Sequence, residues 1–183
     1  MSILTILHRV NAKYLDPPHP LVAKTVSLKR SYLTGLAMQA HSDDDLDEEE
    51  KKLFLALAQE FEIEQSEAMK ILAEAAKPSE KTVAEIRESL MDSKFKYYFI
   101  LDLQIMAHQD RRVRGVETAV IQEFGKLLCV DREDIQFLTE LADAVVEKDL
   151  AAKERWVESF FHSLRIHQTA TPKDFAHYTN KVD

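Results

Sequence analysis

Ala40-His41-Ser42-Asp43-Asp44-Asp45-Leu46-Asp47-Glu48-Glu49-Glu50 decides how the rest of the chain is read. Seven of its last eight residues are acidic, and segments with helical apolar spacing flank it. Asp47 with Glu50 three residues later is the Asp form of a capping box, so the sequence predicts a helix starting there. Its carboxylates then sit at the positive end of the helix dipole. A second version of the stretch returns as Ala107-His108-Gln109-Asp110-Arg111-Arg112-Val113-Arg114-Gly115-Val116-Glu117.

A shift of 67 positions brings the two halves of the chain together. Ala40-His41 falls on Ala107-His108, Asp43 on Asp110, Leu46 on Val113 and Glu50 on Glu117. Leu53, Phe54, Leu57 and Phe61 fall on Val120, Ile121, Phe124 and Leu128. Ala58 falls on Gly125, small on small, which points to close helix contact there. Ile63 and Val130 match, as do the acids Glu64 and Asp131. Each half reads helix, loop, helix, short turn, helix. Neither half can bury its apolar stripe alone, so the two are expected to pack about a pseudo-twofold axis.

Outward from this centre the periodicity predicts helices throughout and no strand. The first segment, residues 1–20, reads as an amphipathic helix (Ile3, Leu4, Ile6, Leu7, Val10) and an elbow at Pro17, Pro18 and Pro20. Residues 21–148 form the two-repeat helical domain. It opens with a helix from about Leu21 to Ala40, with Val26, Leu33, Leu36, Ala37 and Ala40 in step. Ser66 starts a helix through Met69, Leu72 and Ala73, Pro78-Ser79 stops it, and Lys81 to Met91 forms the next. Phe95 to His108 is the most apolar stretch and the candidate central helix. Val116 to Leu128 follows, then a helix through Ile135, Leu138, Leu141 and Val145. Residues 149–183 supply a last helix with Trp156, Phe160, Phe161 and Leu164, packed on the same domain, and a polar tail. The expected fold is an all-α bundle of about eight helices built from two repeats.

Composition narrows the function classes. The chain has 183 residues, 45% of them hydrophobic, and a net charge of −8. That is enough apolar surface for a core. The acidic balance repels phosphate, disfavours nucleic acid and favours cations or basic protein surfaces. One cysteine, Cys129, rules out an intramolecular disulfide and fits a reducing compartment. With Leu127, Leu128 and Val130 around it, Cys129 reads as buried and structural. Three glycines, Gly35, Gly115 and Gly125, build no phosphate-cradling loop or dinucleotide fingerprint.

At the two acidic corners the chain resembles the tellurite-resistance TerB-like family. That family's all-helical domain carries Ala-Asp-Gly-x-Ile-x-x-x-Glu at a helix-to-helix loop, twice in fuller members. Here the copies are Ser42-Asp43-Asp44-Asp45-Leu46 running to Glu50, and Gln109-Asp110-Arg111-Arg112-Val113 running to Glu117. The resemblance spans residues 30–148. Asp44 and Arg111 stand where the family has glycine, and Ser42 and Gln109 where it has alanine. The resemblance implies a cytoplasmic, non-enzymatic accessory or interaction domain of tellurite-type stress responses and membrane-proximal complexes. It also implies divalent cation binding through Asp43, Glu50, Asp110 and Glu117.

The residues themselves leave that chemistry open. Asp43-x-Asp45-x-Asp47 begins like an EF-hand, but the sixth position is Glu48 instead of glycine and the twelfth is Phe54 instead of glutamate. A looser calcium or magnesium site from Asp43, Asp45, Asp47 and Glu50 is one reading, with Asp110 and Glu117 in the second copy. A solvated, capped helix start is the other. His41 and His108 read either as ligands beside Asp43 and Asp110 or as histidines packed at helix C-termini. Arg111, Arg112 and Arg114 give the second loop the opposite sign to the first, which suits a protein partner or a homodimer. The N-terminal helix reads as packed on the core or as a peripheral membrane contact. Neither HExxH nor paired Glu-x-x-His steps occur, and no serine triad is legible.

Overall fold

The computed structural model describes residues 19–42, 48–108 and 115–147. These form seven helices: α1 Val26–Ala40, α2 Glu48–Glu60, α3 Gln65–Ala75, α4 Glu80–Leu90, α5 Phe95–Ala107, α6 Gly115–Leu127 and α7 Arg132–Glu147. Among the described residues there is no strand. The expected helix at Met1 to Lys13 and the aromatic helix at Ala151 to Ile166 lie outside the described residues. No described helix is long and apolar enough to cross a membrane.

The most apolar stretch is the centre of the bundle. Twelve of the thirteen residues of α5 are buried, all but Lys96. α7 packs along α5 most extensively, with α6, α1 and α2 also against it. On the other flank α1 carries α3 and α4. Non-directional burial of this kind is what holds a helical bundle together. Phe54, Phe61, Tyr32, Tyr98 and Phe99 are all fully enclosed in the same core.

Local chemistry sets the helix starts. The first helix begins at Val26 and not near Leu21. Thr25 is extended and its hydroxyl accepts from Leu28 N, the geometry of an N-cap. Upstream the backbone is in turns, with Val22 N on His19 O and Lys24 N on Leu21 O. Val26 is therefore exposed at the helix start, not part of the buried stripe, while Leu21 is buried from within a turn. Ser79 caps α4 with a full capping box to Thr82. Met69, placed with the inner residues of its helix by spacing, is exposed on α3.

Helix ends recur at a constant step. Ala40 and Ala107, Glu48 and Gly115, Glu60 and Leu127, and Gln65 and Arg132 each stand 67 apart. The turn after α2 recurs after α6 in atomic detail. Ile63 N donates to Ala58 O and Val130 N to Gly125 O, both at 2.9 Å. Glu62 at φ 59° and Cys129 at φ 52° are left-handed. This is the Schellman closure, with a left-handed residue just past the helix. Cys129 is consequently exposed, not buried. Its apolar neighbours in sequence misled the expectation. Glu62 at the matching position was the better guide, because a left-handed cap turns its side chain outward.

α1 and α5 meet where a side chain is missing. A Cβ on Gly35 would run into Cζ and Cε2 of Phe99. One turn away Tyr32 and Phe99 stack edge to face, centroids 5.2 Å apart. Gly125 on α6 likewise lies under Cδ1 of Ile135 on α7. The two sites differ in what can yield. The Phe99 ring is wedged against Tyr32 and Phe124, whereas Ile135 Cδ1 is the end of a flexible chain. Gly35→Ala is expected to cost about 1–3 kcal/mol net by overpacking. Gly125→Ala is expected to stay within about 1 kcal/mol of wild type, because helix propensity offsets the smaller clash. Urea unfolding of both variants checks the order; equal stability would contradict it.

Candidate functional site

The two matching corners run into the first turns of α2 and α6. Glu48, Glu49 and Glu50 occupy the first turn of α2, and Glu117 that of α6. Glu50 is 7% exposed and Glu117 is 6% exposed. Burial of an ionised carboxylate is costly unless it is bonded, and a helix N-terminus supplies both dipole and amides. Neither carboxylate is without a partner. Asp43, Asp45, Asp47 and Asp110, the other expected ligands, lie outside the described residues.

The two histidines end α1 and α5 in similar backbone conformations, His41 at φ −102°, ψ 8° and His108 at φ −91°, ψ 2°. Their rings are used differently. His41 Nε2 donates to Leu72 O at 2.9 Å, tying the end of α1 to α3. His108 Nδ1 donates to Gln104 O at 2.6 Å, and its Nε2 lies 3.0 Å from Asp143 Oδ1 on α7. Both nitrogens of His108 thus face oxygen acceptors. The His41 bond pins a helix end, as expected of a packed C-terminal histidine.

A divalent ion of the calcium or magnesium kind takes about six to eight oxygens. Each corner contributes one buried carboxylate from the described residues, Glu50 or Glu117. Among the described residues no three His, Cys, Asp or Glu side chains gather as a ligand group.

A third cluster was not legible in the sequence. His19 is 1% exposed and packs among the rings of Phe61, Tyr32 and Tyr98, centroids 4.9 to 6.0 Å away. Its Nδ1 accepts from Leu21 N at 3.2 Å, so the proton of the fitting tautomer sits on Nε2. Nε2 lies 3.3 Å from Asp102 Oδ2, on a carboxylate only 5% exposed. The Tyr32 hydroxyl donates to the same oxygen at 2.6 Å. His19 N also donates to Glu60 Oε1 at 2.7 Å. The cluster fastens the incoming chain to α1, α2 and α5. His19 had been hidden by its neighbours Pro18 and Pro20, which read as an elbow. The one available signal was Asp102 itself, a lone acid inside an otherwise apolar helix.

A groove of about 670 Å³ lies between the C-terminal half of α2 and the start of α3. Leu55, Ala56, Ala58, Ile63 and Ala68 give it an apolar lining. Lys52, Glu62 and Glu64 supply its charges. Lys52 already reaches Glu49 Oε1 at 2.6 Å.

No protein-family model, no curated protein and no solved structure matches this chain.

The buried cluster makes a sharp stability test. Asp102→Ala strands the Tyr32 hydroxyl and the His19 Nε2–H inside the core, and is expected to cost about 3–5 kcal/mol. Tyr32→Phe removes one donor and is expected to cost about 1–2 kcal/mol. Urea midpoints at unchanged slope measure both, and the double variant should fall short of their sum. Additive losses would contradict the shared network.

Proposed function

We propose that the chain is a non-enzymatic accessory or interaction protein of TerB-like type, acting in a stress response of the tellurite kind. Its body is two copies of one three-helix module, α1 to α3 and α5 to α7, joined by α4 and related by a pseudo-twofold axis. The supporting observation is reciprocity at the α1–α5 crossing. Gly35 meets Phe99, and Tyr32 meets Asp102. Gly35 matches Asp102 and Tyr32 matches Phe99 at the same step of 67, so each contact is the image of the other. Contacts of this i-to-j, j-to-i form are the mark of a twofold arrangement.

Such a body gives a rigid mount for the acidic stretch 43–50, which suits a basic protein surface. The polar groups in its interior serve packing. His19 and Asp102 are sealed from solvent and offer no substrate access. The test compares proteins captured from the native cell by the full chain and by its Asp43→Asn, Asp45→Asn, Asp47→Asn variant. Loss of salt-sensitive captured proteins is expected; an identical set from both chains would exclude the acidic stretch as the contact.

A second reading, divalent metal-ion binding or buffering, draws on Glu50 and Glu117, two buried carboxylates at matching first turns. Calorimetry of the full chain with calcium, magnesium and zinc separates the readings. The metal reading requires heat that Glu50→Ala or Asp43→Ala reduces; no heat with any of the three ends it.

A further inference from the structure

The halves of the chain pack differently where α6 meets α7 and α2 meets α3. In the second half Ile135, at the start of α7, covers Gly125 on α6. The matching pair in the first half is Ala68 and Ala58. An alanine stands where the other half has a branched aliphatic side chain, and the groove of about 670 Å³ borders it. The second half thus shows what kind of group fits. The first half lacks that group from within its own helices, while Leu55, Ala56, Ala58, Ile63 and Ala68 line the space. Apolar lining left open to water favours an apolar occupant.

The chain brings one with it. It enters the described fold at His19, whose backbone is held by Glu60 and whose ring packs on Phe61. Glu60 and Phe61 lie between Gln59 and Glu62, both of which line the groove. Residues 13–18 can extend about 20 Å at roughly 3.3 Å per residue, enough to cross a helix about 10 Å wide. Ahead of them Ile3, Leu4, Ile6, Leu7 and Val10 fall at the three- and four-residue steps that make one apolar helix face. Arg9 and Lys13 carry charge opposite to Glu62 and Glu64. The other candidate from this chain, residues 148–183, leaves the described fold from α7, which packs on α5 and α6.

We infer that residues 3–10 of this chain dock in the groove between α2 and α3, their aliphatic face on Leu55, Ala56 and Ile63. Arg9 and Lys13 then lie toward Glu62 and Glu64. The groove is a docking site filled in cis, and a foreign amphipathic helix must compete with residues 3–10 to enter it.

The test uses the full-length chain with photoreactive benzoylphenylalanine in place of Gln59, an exposed residue on the groove. Crosslinks mapped by mass spectrometry are expected within the same chain, to residues 1–16. The same probe at Lys126, the matching position in the second half, is the control and should give about tenfold fewer. Ala58→Gly with Ala68→Ile imports the packing of the second half and fills the groove. It should cut the yield about tenfold with helical circular dichroism unchanged. Leu7→Asp, a change outside the described residues, should cut it equally and keeps the test sound if the double variant does not fold. Crosslinks to residues 148–183, crosslinks to a second copy, yields no higher than the control, or yields indifferent to Leu7→Asp would each overturn the inference.

Discussion

The approach of α1 to α5 at Gly35 is the constraint on which the rest of the structure depends. With no side chain there, the Phe99 ring lies directly on the α1 backbone. That closeness lets Tyr32 reach Asp102 and stack on Phe99 at once. Phe99 in turn packs edge to face on Phe124 of α6 at 5.1 Å. One missing Cβ thus links three helices through aromatic contacts whose geometry is restrictive. A side chain at Gly35 would push α1 outward and loosen the ring stack and the polar cluster together.

The polar cluster adds direction to a core that burial alone would leave adaptable. Apolar packing tolerates many arrangements of similar volume, whereas a buried carboxylate accepts only arrangements that satisfy it. Asp102 needs both Tyr32 and His19 beside it. His19 is thereby fixed at one place against α2. The polar groups of the interior order the body. On the outside of the body lie the acidic start of α2 and the groove between α2 and α3.

Most of the helical architecture was legible because the signal was long and periodic. Leu53, Phe54, Leu57 and Phe61 fall on one stripe and are buried together, and Phe95 to Ala107 is apolar on every side and central. The recurrence at 67 residues was visible in the apolar positions, and it marks helix ends and the Schellman turns as well. Three things were not legible. The start of α1 depends on Thr25, whose capping signal is a single hydroxyl among residues that continue the periodic pattern. Cys129 was placed inside by its hydrophobic neighbours, but a left-handed backbone overrides neighbour composition. His19 depends on contacts far along the chain, to Glu60 and Asp102, which periodicity does not encode. Of the candidate ligands, Glu50 and Glu117 occupy buried, matching places, while the aspartates fall outside the described residues.

The most direct test of the paired-module body is the environment of Gly35 in the full-length protein, read by NMR. A Phe99 ring lying on the α1 backbone shifts the Gly35 Hα resonances strongly from their ordinary helical values and gives cross-peaks between those protons and the ring. Cross-peaks between the Tyr32 and Phe99 rings are expected beside them. Gly35 resonances at ordinary helical values, with no cross-peak to Phe99, would show that α1 and α5 do not meet there and would contradict the whole arrangement.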